Sequence, residues 1–198
     1  MPAEPCISRK VILRDSVTED DIFEVTERNE WRYAGDVEPD PAQGTFYEAR
    51  WATGKDGSLH YIVDDYACQS YMVAMDSDPR TAERVIAIIE QSLAVWSLDE
   101  AFRSYGAAAF APSRAKSVLL LGLISPALPD DGLMERVRES SHHRDPRVRR
   151  ASVWAMIYSE WDEYREDLAR IASSDSDPEI AGEARKALDA IQQAEGGR

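Results

Sequence analysis

The chain has 198 residues, with 37 acidic against 23 basic side chains and a formal net charge of −14. A chain of this length buries roughly 70% of its unfolded surface without disulfide or metal staples, and 43% hydrophobic content with five Trp and eight Tyr excludes wholesale disorder. The negative balance repels phosphates at long range, which argues against nucleic acid and anionic membrane as partners and leaves a basic protein as the favoured one.

The opening, "MPAEPCISRKVIL", has no basic segment followed by an apolar stretch, and the longest apolar run, Val118 to Ile124, is too short to span a bilayer. A cytoplasmic location is expected. Cys6 and Cys68 form no CxxC pair and read as reduced thiols. Acidity is denser early: residues 1 to 75 hold 15 acids and 7 bases, concentrated at "TEDD" (18 to 21) and "DVEPDP" (36 to 41).

In chain order, Thr18 is the expected N-cap of a short amphipathic helix carrying Ile22, Phe23 and Val25. Residues 34 to 44, "AGDVEPDPAQG", read as loop. The period then changes to two. In "TFYEARWA" (45 to 52), Tyr47, Ala49 and Trp51 share a face opposite Glu48 and Arg50; in "SLHYIVDD" (58 to 65), Leu59, Tyr61 and Val63 alternate with His60 and Asp64. With "TGKDGS" as a hairpin loop and "SYMVAM" (70 to 75) as a third run, a three-stranded antiparallel meander is expected.

From "SDPRTAERV" onward the period is helical, beginning with a stripe of Ala82, Val85, Ile86, Ile89, Leu93 and Trp96. Pro79, Pro112, Pro146 and Pro178 each lead into an apolar helical segment at separations of 33, 34 and 32 residues, which suggests an internal repeat. Proline suits the first helical position, where its missing N–H has no partner to lose, and Asp78, Asp145 and Asp177 before three of the prolines suit the N-cap. "DDGLMERVRESS" (130 to 141) and "WDEYREDLARIASS" (161 to 174) supply a second helix between prolines.

The segments "RDPRVRRASVWAM" and "SDPEIAGEARKAL", each preceded by a helix ending "ERVRESS" or "LARIASS", resemble HEAT-type repeats, in particular the short variety of phycobilisome-lyase-like proteins. Asp145, Pro146, Val148, Arg149, Ala151 and Ala155 match the repeat signature; Asp177, Pro178, Ile180 and Ala184 match it with Ala181 in place of the Arg. The resemblance implies a mostly α fold: a HEAT-like helical-pair solenoid over residues 77 to 193, about seven helices in right-handed stacked pairs. A small α+β region with the three-stranded antiparallel sheet precedes it over residues 1 to 75, and a disordered tail follows from 194. The match covers residues 130 to 193 well and 77 to 125 weakly, and it specifies architecture more than function.

The resemblance also implies a role for Arg149, which reaches an Asp in a neighbouring turn, Asp145 or Asp177, as a structural ladder. Arg147 and Arg150 fall outside the inward stripe of Val148, Ala151, Ser152, Ala155 and Met156. With His142, His143 and Arg144 they are candidates for an exposed partner-binding or phosphate spot, against the simpler reading of solvated charges.

No glycine-rich phosphate loop, GxSxG, HExxH or CxxC occurs. His60 and Asp64 share a strand parity without a third ligand, so no metal and no cofactor are expected. Cys68 beside His60 reads as a turn thiol rather than a nucleophile. The expectation is a non-catalytic protein-binding module, of immunity or regulatory type, with Asp36, Glu38 and Asp40 steering a basic protein partner. The alternative, implied by the resemblance alone, is a tetrapyrrole-lyase-like enzyme or accessory factor.

Overall fold

A computed structural model describes residues 5–40, 42 and 44–196. The chain forms two compact units, Met1–Trp96 and Ser97–Arg198.

The first unit is a six-stranded antiparallel sheet with two helices. Its strands are β1 (Cys6–Ile7), β2 (Val11–Ile12), β3 (Arg32–Val37), β4 (Tyr47–Ala52), β5 (Ser58–Asp64) and β6 (Gln69–Asp76). They are ordered β1, β6, β5, β4, β3, with β2 also pairing β6. The short β1 and β2 are two halves of one edge: Ser8 between them exchanges bonds with Ala74, its N–H donating to the Ala74 carbonyl at 2.8 Å and its Oγ accepting from the Ala74 N–H at 2.9 Å. Helix α1 (Glu19–Arg28) starts at Thr18, the expected N-cap, and adds a reciprocal capping box to Asp21. Helix α2 (Pro79–Ser92) starts at Asp78 with Pro79 in the first turn. Both helices pack on the sheet face that carries Ala49, Trp51, Leu59, Tyr61, Met72 and Ala74.

The second unit is helical: α3 (Leu98–Ala107), α4 (Ala111–Leu123), α5 (Asp131–Ser141), α6 (Pro146–Ser159), a 3-10 turn (Asp162–Tyr164), α7 (Arg165–Ser174) and α8 (Pro178–Gly196). Helix α4 is buried on every side over Ser117–Leu123, so its sequence carries no stripe. It lies against α6 so closely that a Cβ on Gly122 would stand 2.4 Å from the Ala155 Cα. Among the described residues no helix is long and apolar enough to cross a membrane.

Two expectations are overturned. The sheet has six strands rather than three: β3 occupies residues read as loop, and β1 and β2 are too short to show a period. The helical-pair solenoid is not what the chain builds. The helix after Pro79 buries Ala82, Ile86 and Ile89 in the core of the sheet unit, so the first of the four spaced prolines belongs to a different layer from the rest. Proline in the first turn marks a helix start wherever the helix then packs, so even spacing of prolines does not by itself specify a stack of helical pairs. Helix α8 continues to Gly196, past the expected start of the tail, and residues 197 and 198 lie outside the described ones.

Candidate partner-binding surface

The arginine-rich stretch resolves into internal pairs. Arg149, with its side chain 15% exposed, chelates Asp175, 5% exposed, through Nε to Oδ2 at 2.9 Å and Nη2 to Oδ1 at 3.0 Å. Its Nη1 donates to the His143 and Arg144 carbonyls at 3.2 and 3.3 Å. One side chain thereby ties the turn after α5 to the turn after α7. The partner is Asp175, not Asp145 or Asp177, because those two carboxylates face their own helices: each accepts an N–H of the first turn, from Arg147 and Glu179 respectively. Arg147 is exposed but folds back bidentately on Asp145, holding that carboxyl down at about 2. Arg150 reaches across to Glu183 on α8, which also accepts from Trp154 Nε1 at 3.2 Å. Arg147 and Arg150 are thus each paired with a carboxylate within their own unit.

The acids of the first unit are arranged differently. In β3 the ladder runs Tyr33 opposite Trp51, then Gly35 opposite Arg50 and Asp36 opposite Ala49, so Ala34 is an extra, bulged residue. In a regular strand residues three apart point to opposite faces. The bulge restores the phase, with Gly35 accommodating φ +108°, and Tyr33 and Asp36 share a face; the Tyr33 hydroxyl donates to Asp36 Oδ1 at 2.5 Å. That bond pushes the Tyr33 hydroxyl up to about 12.

Tyr33, 43% exposed, meets Phe23 of α1, 39% exposed, and the buried Trp51 in a triangle of ring contacts at 5.7, 5.5 and 5.6 Å. Glu19 lines the same cleft as Phe23, Tyr47 and Trp51, and Asp36 stands beside Tyr33. Burial pushes the Tyr47 hydroxyl up first, and then the negative charges of Glu19, Asp36 and Glu38. Glu19 and Glu38 have no cationic partner among the described residues. The cleft between α1 and the sheet, lined by Glu19, Phe23, Tyr47 and Trp51, measures about 10 Å³, room for one water at most. The feature is a surface rather than a pocket: two exposed rings over a buried Trp, rimmed by carboxylates, on the β3 edge of the sheet. Asp40 is placed elsewhere. Its backbone pairs with Thr45 in both directions at 2.9 Å and its Oδ1 accepts from Ala42 N–H, so it closes the turn beyond β3.

A second constellation lies on the other face of the sheet. Ser58 Oγ is 2.7 Å from His60 Nε2, His60 Nδ1 meets Glu48 Oε1, and Arg50 holds Glu48 Oε2 at 2.6 Å. Burial pushes Glu48 up, but the bonds from Arg50 and His60 outweigh it and hold the carboxyl below its ordinary value. The order Ser, His, carboxylate is that of an activated nucleophile. Gly57, next to Ser58, lies so near Asp76 that a Cβ there would be 2.5 Å from its Oδ2. The relay acts as a polar crosslink between β4 and β5.

His60 is therefore committed to Ser58 and Glu48, while Asp64 is fully buried and accepts from Ala67 N–H at 2.8 Å. Cys68 is exposed in the turn between β5 and β6 with φ 49°. Among the described residues no three His, Cys, Asp or Glu side chains converge as a metal site.

The sequence sets Asp36 and Glu38 in one acidic run but does not show Glu19, Phe23, Tyr33 and Trp51 as their company, since those come from three separate elements. Compared with known protein families, with curated proteins and with solved structures, the chain matches none.

Proposed function

We propose that the chain is a non-catalytic protein-binding module that recognises a basic partner protein through the Phe23–Tyr33 surface and its carboxylate rim. The observation that carries this reading is the placing of carboxylates beside exposed aromatic rings: Asp36 is bonded to Tyr33, and Glu19, without a cationic partner among the described residues, lines the same cleft as Phe23. Protein interfaces concentrate affinity in a few aromatic anchors inside a polar rim. Arg or Lys side chains from a partner gain both the carboxylates and the ring faces. The net charge of −14 adds long-range attraction that raises encounter rates with a cationic surface. The bulge at Ala34 twists the β3 edge and blunts strand addition, which favours recognition by side chains. A neutralising or regulatory role fits such a surface, of the kind an immunity protein plays toward a basic toxin nuclease.

The test is capture of the partner from the native cell with the wild-type chain and with an Asp36→Lys/Glu38→Lys variant, followed by association kinetics on the captured protein at two ionic strengths. A basic partner, retained by wild type and lost by the variant, with association slowed by salt, is expected. A principal partner that is acidic or a nucleic acid overturns the reading, as does turnover of a small molecule by the purified chain alone.

A further inference from the structure

The second unit contains a cavity of about 360 Å³ between the end of α3, the start of α4, the end of α5 and the turn before α6. That size lies at the small end of organic-ligand sites. In a chain so acidic, its lining is unusual: it presents two guanidiniums, Arg114 and Arg144, and neither has a carboxylate partner among the described residues.

Arg114 is fixed in advance. It stacks over the Tyr105 ring at 4.0 Å and donates Nη2 to the Ala108 carbonyl at 3.1 Å. The Tyr105 hydroxyl is itself held by the Arg136 carbonyl, Glu139 Oε2 and Ser140 Oγ at 3.1 to 3.2 Å. Of five guanidinium donors on Arg114, one is used within the fold. His143 accepts the Asp145 N–H on Nδ1 at 3.0 Å, which leaves Nε2 as its proton-bearing nitrogen. Helix α4 opens with Phe110 at the N-cap position and no side-chain cap, so the positive end of its dipole is unscreened beside Ala111 in the lining.

Two carboxylates also line the space. Asp145 is chelated by Arg147 and accepts its N–H, while Glu139 Oε2 is one of three acceptors around the single Tyr105 hydroxyl proton. The guanidiniums of Arg114 and Arg144 still present more donors than the Glu139 carboxylate presents acceptors. Phe110, 77% exposed at the rim, offers a flat apolar face.

We infer that this cavity binds a small organic oxyanion, a phosphate monoester or carboxylate, clamped by Arg114 and Arg144 with its planar apolar part against Phe110. Guanidiniums match both oxyanions bidentately, and a donor set fixed before binding loses less order on binding. The site is separate from the partner-binding surface of the first unit and stands or falls independently of it.

The test is calorimetric titration of the full chain with phenyl phosphate, benzoate, inorganic phosphate and, as a neutral control, benzyl alcohol. At least one aryl anion is expected to bind at millimolar concentration or better while benzyl alcohol does not; the tighter of the two identifies the oxyanion. Arg144→Gln, at an exposed position, is expected to weaken binding about tenfold or more with thermal melting unchanged. Phe110→Ala is expected to weaken the aryl anions and spare inorganic phosphate. Failure of both aryl anions to bind, equal binding of benzyl alcohol, or undiminished binding by Arg144→Gln overturns the proposal.

Discussion

Arg149 grips Asp175 with two parallel bonds, Nε to Oδ2 at 2.9 Å and Nη2 to Oδ1 at 3.0 Å, and both side chains are largely withdrawn from water. Removing the guanidinium leaves a nearly buried carboxylate without its charged donor and frees the His143 and Arg144 carbonyls. Arg149→Ala is expected to destabilise the protein by about 1–3 kcal/mol in a denaturant titration. Arg147→Ala removes an exposed pair and is expected to leave the midpoint of the same titration nearly unmoved. Equal and negligible losses at the two positions contradict the clamp.

The same pair sets an acid limit. Arg149 holds the Asp175 carboxyl below its ordinary value. A depressed carboxyl contributes stability that is present above its unfolded value, near 3.8, and is lost as pH falls through the folded one. Stability is therefore expected to decline from about pH 4 downward, with a shallower decline in Asp175→Asn. A melting temperature of the wild type that stays constant from pH 5 to pH 2 contradicts this.

Much of the fold is legible in the sequence. The capping box of Thr18 and Asp21, the alternation in β4 and β5, and the proline-led starts of α2, α6 and α8 are local patterns that need no tertiary information. Helix α3 also carries its own sign, Ser97 followed by Glu100, which form a reciprocal box. What stays hidden is non-local. β3 contains Gly35 and Asp36 and is exposed along most of its length, so no core imposes an alternating pattern on it. The period of α2 announces a helix without saying that a sheet receives it. Sequence position offers Asp145 or Asp177 as the partner of Arg149 rather than Asp175, because an Asp that caps a helix and one that pairs with a distant Arg look alike in sequence. Phe23, Tyr33 and Trp51 meet only once α1, β3 and β4 are assembled.

Glycine positions separate close packing from open surface. Gly122→Ala forces a Cβ onto the Ala155 backbone and is expected to cost about 1–3 kcal/mol through displacement of α4 from α6. Gly182, inside α8, has open space where a Cβ would stand, with nothing within 4 Å, and Gly182→Ala is expected to gain up to about 1 kcal/mol from helix propensity. Thermal melting of the two variants checks the contrast; a stable Gly122→Ala contradicts the helix contact.

The bulge at Ala34 makes a spectroscopic prediction. With its bond to Asp36 intact, Tyr33 titrates at about 12; in Asp36→Asn, ultraviolet titration is expected to bring one tyrosine back toward its ordinary 10. An unchanged tyrosine profile contradicts the shared face of Tyr33 and Asp36.

The measurement closest to the central claim is amide chemical-shift mapping of the labelled chain during titration with an unstructured Arg-rich peptide and with an acidic peptide of equal length. The Arg-rich peptide is expected to shift Phe23, Tyr33, Asp36 and Glu38 together, added salt to weaken the effect, and Asp36→Lys/Glu38→Lys to abolish it. Shifts that fall elsewhere, or that the acidic peptide produces equally well, contradict that claim.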